Sequence, residues 1–407
     1  MFRPALLVNS LASPIEGYGP VIEHGTTSGE TSERPVRVNS WNGWDPLRHV
    51  IVGRADEAVV QAPEPAVRRD FPDDGFPLGT YGPMPEDMTA EANEQLDNFA
   101  DMLRRRGIRV DRPTPVDFNQ QVSTPDWTQE TMSGCMPPRD LLLTVGSEVL
   151  EATMSYRSRW YEYLCYRPLL QDLFKADPRM RWEAAPKPRL TDASYHTEFW
   201  DTYNELPTEV QLAKVRDYDL VLTEEEPLFD AADIARFGKD LFVQLSFVTN
   251  RSGYDWLKRH FPDHRVHAVT STNTHPLHID ATWVPLRPGL VLHCGERLAD
   301  PELMDFFKLN DWEIVEAVQP ASWDHPPKLS FCSPWLAGNM LNLDANTLCI
   351  EEKEVKLSEQ LAGYGFEIVP VPFRAVGPFG GGLHCATVDI EREGDCQDYF
   401  PRRHGKY

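Results

Sequence analysis

Cys385, His278, Asp140, Asp230 and Asp280 are side chains whose types could do chemistry together, and each stands at or near the start of an apolar, strand-like run. A thiolate is the strongest side-chain nucleophile at neutral pH, and a nearby histidine can hold it ionised or move its proton. An aspartate can orient that histidine and stabilise its charged form. Two further carboxylates are poorly suited to an acyl or phosphoryl group. They suit a planar cation, because a guanidinium offers five N–H donors in a fork that carboxylates match. The set therefore reads as nucleophilic attack on a guanidinium carbon. Taken singly, each residue has a plainer role: an aspartate before a strand forms turns, a lone histidine is structural, and most buried cysteines are inert. The glycine triplet Gly380 to Gly382 lacks the strand before it and the helix after it that a phosphate cradle needs. His384 precedes Cys385 on a strand-like run, so it is expected to point the other way, and no metal site is expected from the two together.

A repeat could bring the five together. "DLLLTVG" (140–146) and "EVLEA" (148–152) read as two strands around a turn, followed by an amphipathic helix over 159–176 and a third strand over 179–185. The same strand-strand-helix-strand order recurs over 228–269, 278–317 and 338–371. The aromatic residues over 156–166 are expected to be core on the first of these helices. A further unit is split between the termini: "RHVIVGR" (48–54), a helix over 89–106 and "GIRVDRP" (107–113) lack an inner strand, which "GLHCATVDI" (382–390) would supply. Pairing the two ends closes a ring and removes exposed sheet edges. The expectation is one α/β domain with five-fold pseudosymmetry, in which the chemical residues converge on one end of the axis. The long segments 114–139, 186–227 and 318–337 are expected to be loops that cover or line the site.

The composition narrows the partners. Among 407 residues, 63 acidic side chains stand against 40 basic ones, a net charge of -23. That argues against nucleic acid or an anionic membrane as partner and is compatible with a cationic substrate. The seven cysteines include no pair spaced as CxxC, which suits a reducing compartment. No apolar run approaches the length of a membrane span. Residues 1–38, rich in Ser, Pro, Gly and Thr, read as a loose arm without the features of a targeting peptide, so a cytoplasmic location is expected.

Six segments carry a family resemblance: "WDPLRHVIVGRA" (44–55), "MPPRD" (136–140), "MSYRSRWYEYLCYR" (154–167), "EEEPLFDAADIARFGKDLFVQLSFVTN" (224–250), "PLHIDATW" (276–283) and "GGGLHCATVDIEREG" (380–394). In this order they closely resemble the glycine amidinotransferases of the guanidino-group-modifying superfamily, from about residue 39 to the C-terminus. The resemblance implies a five-bladed α/β propeller, a single catalytic domain over 39–407, a homodimer and no cofactor. It implies a ping-pong reaction: the guanidinium carbon of L-arginine is attacked, ornithine leaves, and an amidino-cysteine passes its group to a small amine acceptor. Cys385 resembles the nucleophile, His278 the general acid/base and Asp230 its partner. Asp140 and Asp280 resemble the carboxylates that hold the guanidinium. Arg297 falls where the family has an arginine for the substrate carboxylate, and Ser333 where it has a serine beside the amino-acid end. Two departures stand near the acceptor. "HPLHID" places His275 and Leu277 where glycine-accepting members have Asn-Pro-Met before His-Ile-Asp, and "CSPW" places Cys332 at one of two serines. The acceptor is thus open between glycine and another amine, such as an aminocyclitol or another amino acid. Arginine hydrolysis on the same fold and non-catalytic amino-acid sensing are the competing readings.

Overall fold

The computed structural model describes residues 35–67, 81–295, 300–321 and 333–407. Its repeat consists of five three-stranded sheets with one shared pairing scheme. In each, a first strand pairs antiparallel with a second, and a helix returns the chain so that a third strand runs parallel to the second. A turn suffices for the antiparallel step, whereas the parallel step needs a crossover. The strands are Leu142–Val145, Glu148–Glu151 and Arg181–Ala184, with helix Tyr163–Ala176; Ile234–Phe237, Asp240–Leu245 and Arg265–Thr270, with Arg251–His260; Trp283–Arg287, Leu290–His293 and Glu313–Glu316, with Pro301–Leu309; and Leu341–Asp344, Thr347–Glu351 and Glu367–Val371, with Val355–Gly363. The split unit forms as expected: Thr387–Arg392 pairs antiparallel with Leu47–Val52, which runs parallel to Arg109–Asp111 after helix Glu86–Arg105.

Residue type explains these elements locally. In helix Glu86–Arg105, Ala92, Leu96, Phe99, Ala100 and Leu103 recur at helical spacing and are buried. Its acidic first turn and basic last turn oppose the ends of the helix dipole. Helix Arg251–His260 starts at Asn250, whose side chain accepts the Gly253 N–H. The first strands Leu142–Val145, Ile234–Phe237 and Thr387–Arg392 are buried at every position; the first two read as mainly apolar runs, whereas Thr387–Arg392 also buries Asp389, Glu391 and Arg392.

Those first strands are tied to one another. Arg236 donates to Thr144 O, Asn342 Nδ2 to Leu286 O and Arg392 Nη2 to Asn342 O, while Arg139, just before Leu142–Val145, pairs with Asp389 at 3.1 Å. Phe237 and Trp283 share one aromatic core cluster with Trp44, Phe307 and Phe400. The repeat thereby brings the entrances to the first strands together.

Two sequence expectations shift. Packing reaches into the segment expected to be a loose arm: Val38 is buried and its N–H donates to Asp177 Oδ2 at 2.8 Å. Segment 186–227 is no bare loop. It holds helices Phe199–Thr202 and Thr208–Asp217, because Phe199, Tyr203, Val215 and Leu222 form a small core of their own with Phe247. Among the described residues, no helix is long and apolar enough to cross a membrane.

Candidate active site

Short 3-10 turns deliver the chemical residues. Asp140 ends the turn Pro138–Asp140, Asp230 precedes Ala231–Asp233, and His278 precedes Ile279–Ala281, which contains Asp280. Cys385 lies between the turn Arg374–Phe379 and strand Thr387–Arg392. Each stands just before a first strand, and all five line one cavity of about 580 Å³.

One wall is built on His278. Its backbone has φ +53°, a conformation costly for a residue with a Cβ and typical of functional positions. Its Nε2 donates to Asp230 Oδ2 at 3.3 Å, and its Nδ1 lies 3.7 Å from Asp140 Oδ1. Burial disfavours the charged ring, but Asp140, the Asp230 hydrogen bond and Asp233 outweigh it and push the pKa up to about 10. The ring is an imidazolium at neutral pH. Asp140 is itself raised by burial, against the pull of His278 and Arg159. Its Oδ2 accepts from Arg159 Nη1 at 2.6 Å, while the same guanidinium forks onto Glu162 at 2.6 and 2.9 Å.

The facing wall is built on Cys385. Its Sγ lies 3.3 Å from Asp280 Oδ2, and its N–H donates to Asn339 Oδ1 at 2.8 Å. Asp280 Oδ2 also accepts from Asn339 Nδ2 at 2.9 Å and His384 Nδ1 at 2.8 Å. Burial works against ionisation of Asp280, yet the His384 hydrogen bond, the two histidines' charge and Asn339 hold it well below the usual carboxylate range. The glycines before the thiol answer a packing demand. Gly380 has φ +114°, and a Cβ on Gly381 would sit 2.2 Å from the Cys385 Cβ and 2.7 Å from its Sγ.

Three buried carboxylate oxygens, Asp140 Oδ1, Asp230 Oδ1 and Asp280 Oδ1, have no hydrogen-bond partner within the described protein. Such atoms are expensive to bury and are ordinarily partnered. Here all three residues border the same cavity. A cation with several N–H donors would satisfy them together. Asp140, Asp230 and His278 also bring one donor atom each within 4.8 Å of one another, a spacing that a metal ion could span. A ligating histidine must offer a bare ring nitrogen, whereas both nitrogens of His278 face carboxylate oxygens, Nε2 at 3.3 Å from Asp230 Oδ2 and Nδ1 at 3.7 Å from Asp140 Oδ1, as donors do. The set therefore fits an organic cation better than a divalent metal.

His275, Leu277 and Ser333 border the cavity as well. His275 Nε2 is 3.1 Å from Asn204 Oδ1, and Ser333 Oγ accepts the Trp335 N–H at 3.3 Å. Arg297 and Cys332 lie outside the described residues. Several bordering residues escaped the sequence reading. Tyr156 and Arg159 line the cavity instead of serving only as core, because helix Tyr163–Ala176 starts after them and leaves them on a turn. The Arg159–Glu162 charge pair inside an aromatic stretch was the available signal. Asn339 and His384 had none, since their contacts with Asp280 cross 59 and 104 residues of chain. The expectation that His384 turns away is corrected in part: it does not line the cavity, yet it binds the same aspartate oxygen as the Cys385 thiol.

A fold of five such sheets with a thiol, an imidazolium and three carboxylates around one cavity defines a class of enzyme acting on guanidino compounds. No family model matches the chain. It is 36% identical over 375 residues to the mitochondrial glycine amidinotransferase of Xenopus tropicalis, covering 91% of this chain and 86% of that one. It is 36% identical over 367 residues to the L-arginine:L-lysine amidinotransferase of Pseudomonas savastanoi pv. phaseolicola, covering 89% and 96%. Among solved structures, an amidinotransferase of the saxitoxin biosynthetic pathway from Microseira wollei matches with a TM-score of 0.77 and 38% identity, over 89% of this chain and 99% of that one. The chain belongs to the amidinotransferase family, and its activity is the transfer of amidino groups.

Proposed function

We propose that this protein takes the amidino group of L-arginine onto Cys385 and passes it to a small primary amine, glycine or a relative of it. The observation that carries this reading is the trio of unpartnered carboxylate oxygens around a cavity that also holds a buried thiol and an imidazolium. The five sheets are read as the blades of an α/β propeller over residues 39–407, with the site at one end of its axis; the ties between successive first strands support this.

The guanidinium is held between Asp140, Asp230 and Asp280. As this cation arrives, the thiol loses its proton to solvent. The thiolate attacks the guanidinium carbon, the bond from that carbon to the arginine side-chain nitrogen breaks, and His278 supplies the proton that this nitrogen needs to leave as ornithine. Cys385 then carries the amidino group as a cation facing the same carboxylates. Neutral His278 takes a proton from the acceptor amine as it attacks, the S–C bond breaks, and the thiolate and imidazolium are restored. The covalent intermediate carries the group, so the chain's own residues complete the cycle. Differing acceptors in the relatives' names, with His275 and Leu277 at the cavity border, support a choice of acceptor set at this border.

The test is incubation with arginine, with and without glycine, lysine, 4-aminobutyrate or an aminocyclitol. Amine-dependent ornithine release is expected, with an amidino increment on Cys385 in intact-mass spectra when acceptor is withheld. Citrulline formed without any amine-dependent ornithine would overturn the reading.

A further inference from the structure

We propose that His384 is a positioning residue, which fixes the plane of Asp280 so that one oxygen of that carboxylate is reserved for the guanidinium. The inference rests on the reading above that Asp280 receives that cation. Among the described residues, all the donors around Asp280 fall on Oδ2: His384 Nδ1 at 2.8 Å, Asn339 Nδ2 at 2.9 Å and the Cys385 thiol at 3.3 Å. Oδ1 is buried and receives none. A carboxylate free to turn would share three donors between its two oxygens. Crowding them onto one sets its orientation and leaves the other as an acceptor at the cavity.

His384 can hold this post because its backbone is anchored on both sides. Its N–H donates to Asn339 O at 3.3 Å, and its carbonyl accepts from Thr387 Oγ1 at 3.0 Å and Arg139 Nε at 3.4 Å. An ionised carboxylate only accepts, so the proton between the two groups sits on His384 Nδ1; burial and the Arg139 charge lower this ring's pKa below the ordinary histidine value. His384 does not line the cavity, so it acts through Asp280. Without it, Asn339 is the one nitrogen donor to Asp280 left among the described residues, and the carboxylate can turn away from the orientation that meets the guanidinium.

The experiment compares the full chain with H384Q, H384A and H384N. It measures how amidino-Cys385 formation without acceptor, and ornithine release with acceptor, depend on arginine concentration. An asparagine amide can stand where Nδ1 stands, whereas a glutamine amide reaches the Nε2 position. H384Q and H384A are expected to raise the half-saturating arginine concentration about 10-fold or more, with a much smaller loss of rate at saturation. H384N is expected to restore most of the difference. Melting temperatures identify folded variants, and if H384A does not fold, the contrast between H384Q and H384N decides. Wild-type arginine dependence in H384Q, or equal loss of maximal rate in H384Q and H384N without a shift in half-saturation, overturns the proposal alone. A wild-type protein that forms no adduct overturns the parent reading and this one with it.

Discussion

Two buried ionic clusters lie side by side in this chain, and adjacent residues of one turn contribute to both. Arg139 belongs to the cluster around Asp389, where Arg139 at 3.1 Å, Arg392 at 3.0 Å and Arg236 surround a single carboxylate. Asp140 belongs to the cavity, where three aspartates face His278 and Cys385. Around Asp389 both oxygens receive arginine donors, and the arginines spread their remaining bonds over Ser40, Thr144, Asn342 and Asp45 from different repeats. Burial opposes its ionisation, but Arg392, Arg139 and Arg236 hold Asp389 well below the usual carboxylate range. In the cavity each aspartate keeps one oxygen without a hydrogen bond among the described residues, that of Asp140 facing His278 Nδ1 at 3.7 Å. The contrast lies in the carboxylates: arginines take both oxygens of Asp389, although Arg392 Nε itself makes no hydrogen bond among the described residues, whereas each cavity aspartate keeps an oxygen that a ligand can take.

The sharpest division between the clusters comes from removing the nucleophile. Cys385→Ala is expected to lower turnover by about 10⁴-fold or more while leaving the melting temperature near wild type; persistent turnover would remove the thiol from the chemistry. At the structural cluster, Asp389→Ala should cost about 3–5 kcal/mol of stability, because three buried guanidinium groups lose their counter-charge. Chemical denaturation measures this, and a loss below about 1 kcal/mol would erase the distinction between the clusters. Asp280→Asn should do the converse. Arginine binding should weaken by about 2–5 kcal/mol, read from the arginine dependence of adduct formation, with a smaller loss of stability than in Asp389→Ala, because an amide oxygen can still accept from His384 and Asn339.

His278 supplies a pH test of the cavity. Its folded pKa of about 10 exceeds the ordinary 6.5, so its charged form stabilises the fold fully below about pH 6.5. That contribution is lost as pH rises through about 10. The gap in melting temperature between wild type and His278→Asn should therefore narrow from pH 6 to pH 10, and a constant gap would mean that the carboxylates do not hold the proton. The smallest effect is expected outside both clusters. Arg48 and Glu393 form a pair with both side chains well exposed, and Arg48→Ala should change stability by less than about 1 kcal/mol.

Much of this molecule is legible before folding. Apolar runs alternating with amphipathic stretches mark the repeated strand-strand-helix-strand order, because burial on a pleat and burial on a helix impose different periods on the same chain. The split unit could be found because Leu47–Val52 and Arg109–Asp111 lack an antiparallel partner nearby. Cys385, His278, Asp140, Asp230 and Asp280 stand out because each occupies the same place in its repeat, ahead of a first strand. Arg159 was obscured because aromatic neighbours made a turn resemble the continuation of a helix.

Sequence by itself therefore determined the repeat, the residue types at its shared end and the class of chemistry they can perform. The tertiary structure decided how those groups divide the work. Only in three dimensions do Asp140 and Asp230 flank His278, while His384 and Asn339 crowd one oxygen of Asp280 beside Cys385. The reason is physical: periodicity records which face of an element is buried, but not which oxygen of a carboxylate a residue from another repeat will reach. That choice arises from packing between repeats, and it leaves three acceptor oxygens around one cavity.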